Sequence, residues 1–335
     1  MLDAVIKDLL AHPKVSVATT WDKRLASSPL QPLAQCDVQI VDSPLAERDA
    51  FIRQLAIADA ALIIAPETDR ILEQRVASVL KAGVPALNAT PDGIALCRDK
   101  LALARFCSDC DVATPTTCLL DESFRETFAA RYRSSGTDHW VIKPRDGAGS
   151  QATALWTSAD LVAAIEADGL FVDEPNPVEL IIQPFVPGRA VSCAALCDGG
   201  GRLISTLPIA AQRLSANGRF TYLGGEIDAR DISGAAEGEA IIRMIDRLVT
   251  RIEGLRGYIG FDFVLPDDAP DDPVLIEINP RLTTSYAGYR AICSNGPLTR
   301  WMLPAQAGET RDKLVGVPRF QGRVRFSACG ECDLG

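Results

Sequence analysis

No apolar run in this 335-residue sequence reaches the length of a membrane span, which argues against a helix that crosses a bilayer. Two short nucleotide fingerprints are also missing. No G-x-G-x-x-G follows a strand and no G-x-x-x-x-G-K-[ST] occurs, so neither a standard dinucleotide site nor a P-loop is expected. Positive charge is in short supply, with 34 Lys and Arg against 44 Asp and Glu and a net charge of -10. Such a chain has no general attraction for nucleic acid or an anionic membrane, and any anionic ligand must be held by a local basic site. Histidine is scarce, and both copies stand far from the CxxC pairs Cys107/Cys110 and Cys329/Cys332. That spacing makes a four-cysteine zinc site worth considering. However, the first pair falls in a segment patterned as a helix and the second in what reads as a loose tail, so free thiols in the cytoplasm are the expectation.

The remaining composition, 47% hydrophobic and 23% charged, is that of a globular protein long enough for two or three domains. The opening MLDAVIKDLLAHPKV mixes Asp3, Lys7 and Asp8 with apolar residues and reads as an amphipathic helix, not a signal peptide. Short apolar runs follow at Val15 to Thr19, Val38 to Val41, Ala60 to Ala65 and Pro85 to Leu87, with an amphipathic helix from Asp69 to Ala82 closed by Gly83. Strands and helices alternating in this way predict an α/β domain over residues 1–97 with an open parallel sheet of about four strands, whose ligands would sit at the strands' carboxyl ends. Glu67, at one such end, either receives a substrate ammonium or caps the next helix.

The densest chemistry lies between Gly257 and Tyr289. Two strand-like runs, Tyr258 to Leu265 and Pro273 to Ile278, flank an acidic turn. Alternation puts Glu277 and Asn279 on one face, and Asp262 joins them if the strands pair. Two carboxylates and an amide oxygen form a hard, all-oxygen set suited to Mg2+ or Mn2+ carrying phosphate oxygens. Arg281, held by Pro280, offers a planar cation to a phosphate or carboxylate. The alternative is a structural Asp262 and a surface pair between Glu277 and Arg281.

Upstream, His139 to Pro144 reads as a strand and Arg145 to Ser150 as a turn into a second strand, Gln151 to Trp156. Gly147 and Gly149 let backbone N–H groups approach an anion, Ser150 adds a hydroxyl, and Lys143 supplies a point charge to the same place. Lys100 opens a helix running to about Asp109; alone it reads as a solvated charge. Residues 158–168 are expected to be helical with Ser158 as cap, Glu179 to Val186 a strand, Val191 to Leu196 and Leu203 to Ile209 strands, and residues 235–254 a core-facing helix. Arg213 is either a phosphoryl ligand or a surface residue, and Thr283, Thr284 and Ser285 either steer an acceptor or turn the chain.

The string EINPR after a G-x-D-x-V-L strand, with Lys100, Lys143 to Ser150 and Gln183 to Gly188, resembles the ATP-grasp superfamily over roughly residues 60–300. EINPRLTTSY, IAPET and YLGG look most like the tyramine-glutamate ligases of methanofuran biosynthesis and their bacterial relatives in one-carbon metabolism. The resemblance implies an ATP-grasp fold: residues 1–97 an N-terminal parallel α/β domain, 98–186 and 187–320 two α+β subdomains gripping ATP, and 321–335 a tail. It also implies two metal ions on Asp262, Glu277 and Asn279, with Lys100 and Lys143 on the phosphates. The loop at Gly147 to Ser150 would act as a lid, and Gln183, Phe185 and Val186 would sit at adenine. Ala190 departs from the pattern, because many relatives carry a ribose-binding acid there.

The implied reaction is ligation of a small-molecule carboxylate to an amine through an acyl phosphate, with Arg281 stabilising the reacting groups. Alternatives are a ligase joining two amino acids, as in D-alanine ligases, a biotin-type carboxylase, for which no carrier segment is evident, and a nucleotide-binding subunit with decayed catalysis. Relatives are often dimers, which leaves a homodimer open.

Overall fold

The run VSCAALC at 191–197 has no polar face, and the fold explains why: strand β7 (Gly188–Cys197) is buried on both sides. In the computed structural model, which describes residues 1–25, 35–124, 126–128, 138–167, 179–229, 236–303 and 316–335, β7 lies inside an eight-stranded sheet. Its neighbours are β8 (Leu203–Thr206), β9 (Ala210–Leu214), β10 (Tyr222–Asp228), β11 (Gly257–Pro266), β12 (Val274–Asn279), β13 (Arg323–Ser327) and β14 (Cys332–Leu334). The order is β12-β11-β7-β9-β10-β13-β14, with β8 also paired to β7. Cys193, Ala195 and Cys197 join one core with Ile241, Ile245 and Leu248 of helix α7 (Ala236–Arg251). Ala194 and Leu196 join the other with Tyr286 and Tyr289 of α8 (Ser285–Ile292) and Val5 of α1 (Leu2–Leu10). Residue 235, where α7 was expected to start, lies outside the described residues. The C-terminal segment is not a loose tail, because β13 and β14 extend the sheet through β10.

A four-stranded sheet, β3-β6-β4-β5, faces it: β3 (Cys118–Leu119), β4 (His139–Pro144), β5 (Ala154–Thr157) and β6 (Leu180–Pro184). Its own core gathers Phe124, Phe128, Trp140, Ile142, Leu161 and Ile182. Helix α6 (Ser158–Glu166) covers it, and here the expected cap moves by one residue. Thr157 accepts from the Asp160 N–H at 3.1 Å, while Ser158 accepts the Trp140 indole N–H at 2.9 Å. Residue 168 lies outside the described residues. Only residues 185–187 separate β6 from β7, so the hinge expected there joins the two sheets.

The N-terminal domain is leaner in strands than expected. Strands β1 (Ala18–Asp22) and β2 (Asp37–Val41) pair in parallel, with α2 (Pro44–Leu55) packed on them. The anticipated third and fourth strands reduce to one parallel bridge, Ala61 with Ala86. The backbone explains the shortfall. Ala61 bonds Pro85 and Leu87, and beyond it the Asn88 side chain takes both ladder positions of Ile63, accepting from its N–H at 2.7 Å and donating to its carbonyl at 2.9 Å. A side-chain amide thus replaces a strand. Helices α3 (Ile71–Lys81), α4 (Pro91–Arg98) and α5 (Lys100–Asp109) then lead into the four-stranded sheet. None of the ten cysteines is in a disulfide, and among the described residues no three or more His, Cys, Asp or Glu side chains form a metal-holding group. No described helix is long and apolar enough to cross a membrane.

Candidate active site

The β11–β12 pair carries the acidic centre. Asp262 stands opposite Glu277 and Gly260 opposite Asn279, while Phe261 and Ile278 turn into the core. A register shift after Asp262 leaves Ile276 of β12 without a partner on β11 where the carboxylates meet. The Asn279 Nδ2 donates to Asp262 Oδ2 at 2.9 Å and reaches Glu277 Oε1 at 3.4 Å, so the three side chains form one cluster as expected. Gln212, which the sequence reading did not single out, donates to Asp262 Oδ1 at 2.7 Å. Burial, and then the adjacent Glu277 carboxylate, push Asp262 well above the usual carboxylate range. Burial would also raise Glu277, but Lys100 and Lys143 outweigh it and hold Glu277 below its ordinary value.

This donor set fits a hard divalent cation, which would replace the proton that two neighbouring carboxylates otherwise share. The Asn279 amide is turned with its oxygen toward Arg281 Nη2 at 3.3 Å. A half-turn of the amide would bring that oxygen beside the carboxylates, the orientation a cation selects.

Two lysines face this centre from the other side of the cleft. Asp99 caps α5 by accepting from the N–H groups of Leu101 and Ala102, which sets Lys100 at the first helical position. Its Nζ donates to the Gly147 carbonyl at 2.7 Å. Lys143, in the last turnless stretch of β4, is 6% exposed. Burial, with Lys100 adding to it, brings its ammonium down to about 8 against the opposing pull of Glu277 and Asp262. The glycine loop follows at once: Gly149 has φ +72 and Ser150 φ +58, backbone that glycine accepts freely and serine does not. Gly147, Gly149 and Ser150 all line the cavity.

The hinge forms the far wall. Gln183 is buried and donates to Thr117 Oγ1 at 2.8 Å, which orients its amide beside Phe185 and Val186 at the cavity edge. Phe220, from the β9–β10 turn, stands 6.1 Å from Phe185, centroid to centroid, and was not anticipated. Its only sequence signal is one aromatic among turn residues. Ala190 does line the cavity, and Ser192 on the same strand brings a hydroxyl to it.

Two expectations need correction. Arg213 points away: it is exposed, bonds the Leu223 carbonyl at 3.2 Å, and leaves the cavity face of β9 to Gln212 and Leu214. Alternation along a strand fixes which residues share a face but not which face meets the ligand. Glu67 does not cap the following turn; it is 4% exposed and pairs with Arg281, Nε to Oε2 at 2.6 Å, with its Oε1 buried and unpartnered. The surface pair of Arg281 with Glu277 is therefore not formed. Thr284 stands at the start of α8 and lines the cavity without making a side-chain cap bond. Ser285 is buried in a hydroxyl cluster, 2.7 Å from Thr283 Oγ1 and 3.3 Å from Tyr258 OH.

The acidic cluster, the two lysines, the glycine loop and the hinge, with neither Arg213 nor Glu67 among them, line a cavity of about 570 Å³ between the two sheets. Comparisons with known proteins agree with this architecture. Residues 97–285 match the model of the ATP-grasp domain, and residues 15–94 that of a pre ATP-grasp domain. The tyramine–L-glutamate ligase of Methanocaldococcus fervens is 28% identical over 233 residues, 69% of this chain, which spans 62% of that relative's length. The D-alanine–D-alanine ligase of Desulfovibrio desulfuricans is 31% identical over 105 residues, 30% of this chain and 32% of the relative. Among solved structures, the biotin carboxylase domain of Hydrogenobacter thermophilus 2-oxoglutarate carboxylase, crystallised with MgADP and bicarbonate, superposes with a TM-score of 0.74 at 14% identity, covering 96% of this chain and 71% of that one.

Proposed function

The chain belongs to the ATP-grasp family, and from that premise we propose that it is an ATP-dependent ligase that joins a carboxylate to an amine through an acyl phosphate. The observation that carries this reading is convergence. Lys100, Lys143, the glycine loop, Asp262, Glu277, Asn279 and Arg281 come from four separate stretches of sequence and line one cavity. Asp262, Glu277 and Asn279 would hold Mg2+, and a bound ion neutralises charge between the terminal phosphates. Lys100 and Lys143 would grip the phosphate chain from the opposite wall. Gln183, Phe185 and Val186 would take the adenine, and the loop at Gly147 to Ser150 would cover the phosphates and exclude water from an acyl phosphate. Arg281 would bind the substrate carboxylate and the charge that develops on it. Glu67 stands behind Arg281 and off the cavity lining, and its unpartnered Oε1 would accept from a substrate ammonium that reached it there.

For the substrates we propose glutamate and tyramine or a related amine, in a cofactor pathway of the methanofuran type; the similarity to a tyramine–L-glutamate ligase supports this. A second reading, amino acid with amino acid, is favoured by the match to a D-alanine–D-alanine ligase. Ten cysteines with no disulfide between them support a reducing, cytoplasmic setting. The test is ADP release from purified protein with Mg-ATP and L-glutamate, with and without tyramine, and mass spectrometry of the product. Tyramine-dependent ADP and a new amide are expected. Release with other amines alone would keep the ligase and discard the substrate, and no release across a broad acid and amine panel would discard the ligase.

A further inference from the structure

The dipeptide Arg-Asp occurs at 98–99, where α4 ends and α5 begins, and again at 145–146, where β4 runs into the glycine loop. In the fold the two copies lie against each other in opposite order. Arg145 grips Asp99 with two bonds, Nε to Oδ1 at 2.8 Å and Nη2 to Oδ2 at 2.5 Å. Arg98 pairs with Asp146 through Nη1 and Oδ2. The Lys100 N–H donates to the Arg145 carbonyl at 3.1 Å, so the backbones are tied as well as the side chains. Behind Arg98 lies Glu73 of α3, with Oε2 3.7 Å from Arg98 Nε, and Glu73 is itself held by Arg70 at 2.6 Å.

The pairs are partly withdrawn from water, with side-chain exposures of 18% for Arg98 and 28% for Asp146. Arg98 Nε and Asp146 Oδ1 are buried without a hydrogen-bond partner, so charge alone compensates them there. Downstream of this latch the loop changes character. Gly149, Ser150 and Ala152 all take positive φ, and the next tie to another element is the pairing of Ala154 with Ile142 of β4, followed by the Leu155 N–H on the Gly218 carbonyl at 2.8 Å. Residues 148–153 therefore span two fixed points.

We propose that Arg98 and Asp146, crossed by Asp99 and Arg145 and braced by Glu73, are positioning residues for the phosphate loop. They fix its stem at Gly147, whose carbonyl receives Lys100, so that movement is confined to residues 148–153. They touch neither the phosphates nor the metal ligands; they act through the loop backbone and the Lys100 ammonium. The inference rests on the ligase reading for the identity of the ligand, but not for the mechanics of the loop.

The test uses the full chain with Asp146→Asn, Arg98→Gln and the double variant. Asp146→Asn keeps the size of the side chain and serves as the variant that should fold. Hydrogen exchange of the 147–153 amides, measured without nucleotide, should rise about tenfold in each single variant and no further in the double, because one shared pair is lost. The Michaelis constant for Mg-ATP should rise by a similar factor while kcat changes less than twofold, a split that a general loss of stability would not produce. Unchanged loop exchange, or effects that add in the double variant, would overturn the latch. Absence of any ATP turnover in the parent protein would instead overturn the ligase reading, and the exchange comparison would still decide this one.

Discussion

Glu67 and Arg281, 214 positions apart, meet as a buried ion pair at 2.6 Å, with Arg281 on the wall of the cavity and Glu67 behind it. Glu67 comes from the N-terminal domain and Arg281 from the segment that follows β12, so the pair ties that domain to the acidic centre. Arg281 also reaches the Asn279 amide oxygen and the Leu282 carbonyl, which leaves its guanidinium oriented by three partners. Removing one member of such a pair leaves the other charge uncompensated. Glu67→Ala is expected to cost about 3 kcal/mol of stability, read by denaturant unfolding. In the double variant Glu67→Ala/Arg281→Leu, much of that loss should return. If the substrate amine docks at Glu67, its Michaelis constant should rise more than that for ATP.

Glu277→Gln preserves volume and removes one charge from the acidic cluster. The fold should persist, since among the described residues Glu277 makes no ion pair and meets the neutral Asn279 amide at 3.4 Å. Turnover should fall at least a hundredfold, and the Mg2+ concentration needed for nucleotide binding should rise. Steady-state ADP release reads the first effect, and a magnesium titration followed by calorimetry with ADP reads the second.

Lys143 predicts a pH dependence whose sign is fixed. Its ammonium titrates near 8 in the free protein because it is buried, below the ordinary lysine value. A phosphate bound beside it would favour the charged form and raise that value, so binding takes up a proton above pH 8. Nucleotide affinity should thus be flat below about pH 7.5 and weaken as pH rises through 8, by up to about tenfold per unit. In Lys143→Met the affinity should be lower throughout and the slope above pH 8 should vanish.

Gly188 is the first residue of β7, directly after the hinge. It has φ +158, and a Cβ there would sit 2.2 Å from the Leu265 carbonyl oxygen. That oxygen is backbone of the neighbouring strand and cannot move aside. Gly188→Ala should destabilise the protein by about 3 kcal/mol or more, checked by thermal unfolding. Gly149→Ala, where no atom lies within 4 Å, should cost only the backbone strain of its positive φ.

Much of the site was legible in the sequence because strand alternation is a local rule. Alternation puts Glu277 and Asn279 on one face and the residue between them toward the core, while a register shift after Asp262 is what sets it opposite Glu277. Lys143 was legible for a similar reason, beside a glycine turn, whereas Lys100 at a helix start read alone as a solvated charge and gained its role only from the family resemblance. Local rules stop at parity. They place Gln212 and Arg213 on opposite faces of β9 but do not say which face meets the cavity, and the opposing sheet decided for Gln212. The N-terminal strands were over-read because an apolar run looks the same whether its partner is backbone or the Asn88 amide.

The sequence by itself therefore determined most of the elements outside the N-terminal sheet and the C-terminal segment, the shared face of Glu277 and Asn279, and the link between the two sheets, since each depends on residues within a few positions or on one tight turn. The tertiary structure alone decided the Glu67–Arg281 pair, the crossed Arg-Asp dipeptides and the Phe185–Phe220 wall. Each joins residues between 35 and 214 positions apart, brought together by the packing of whole sheets and helices, and no periodicity along the chain records such distances.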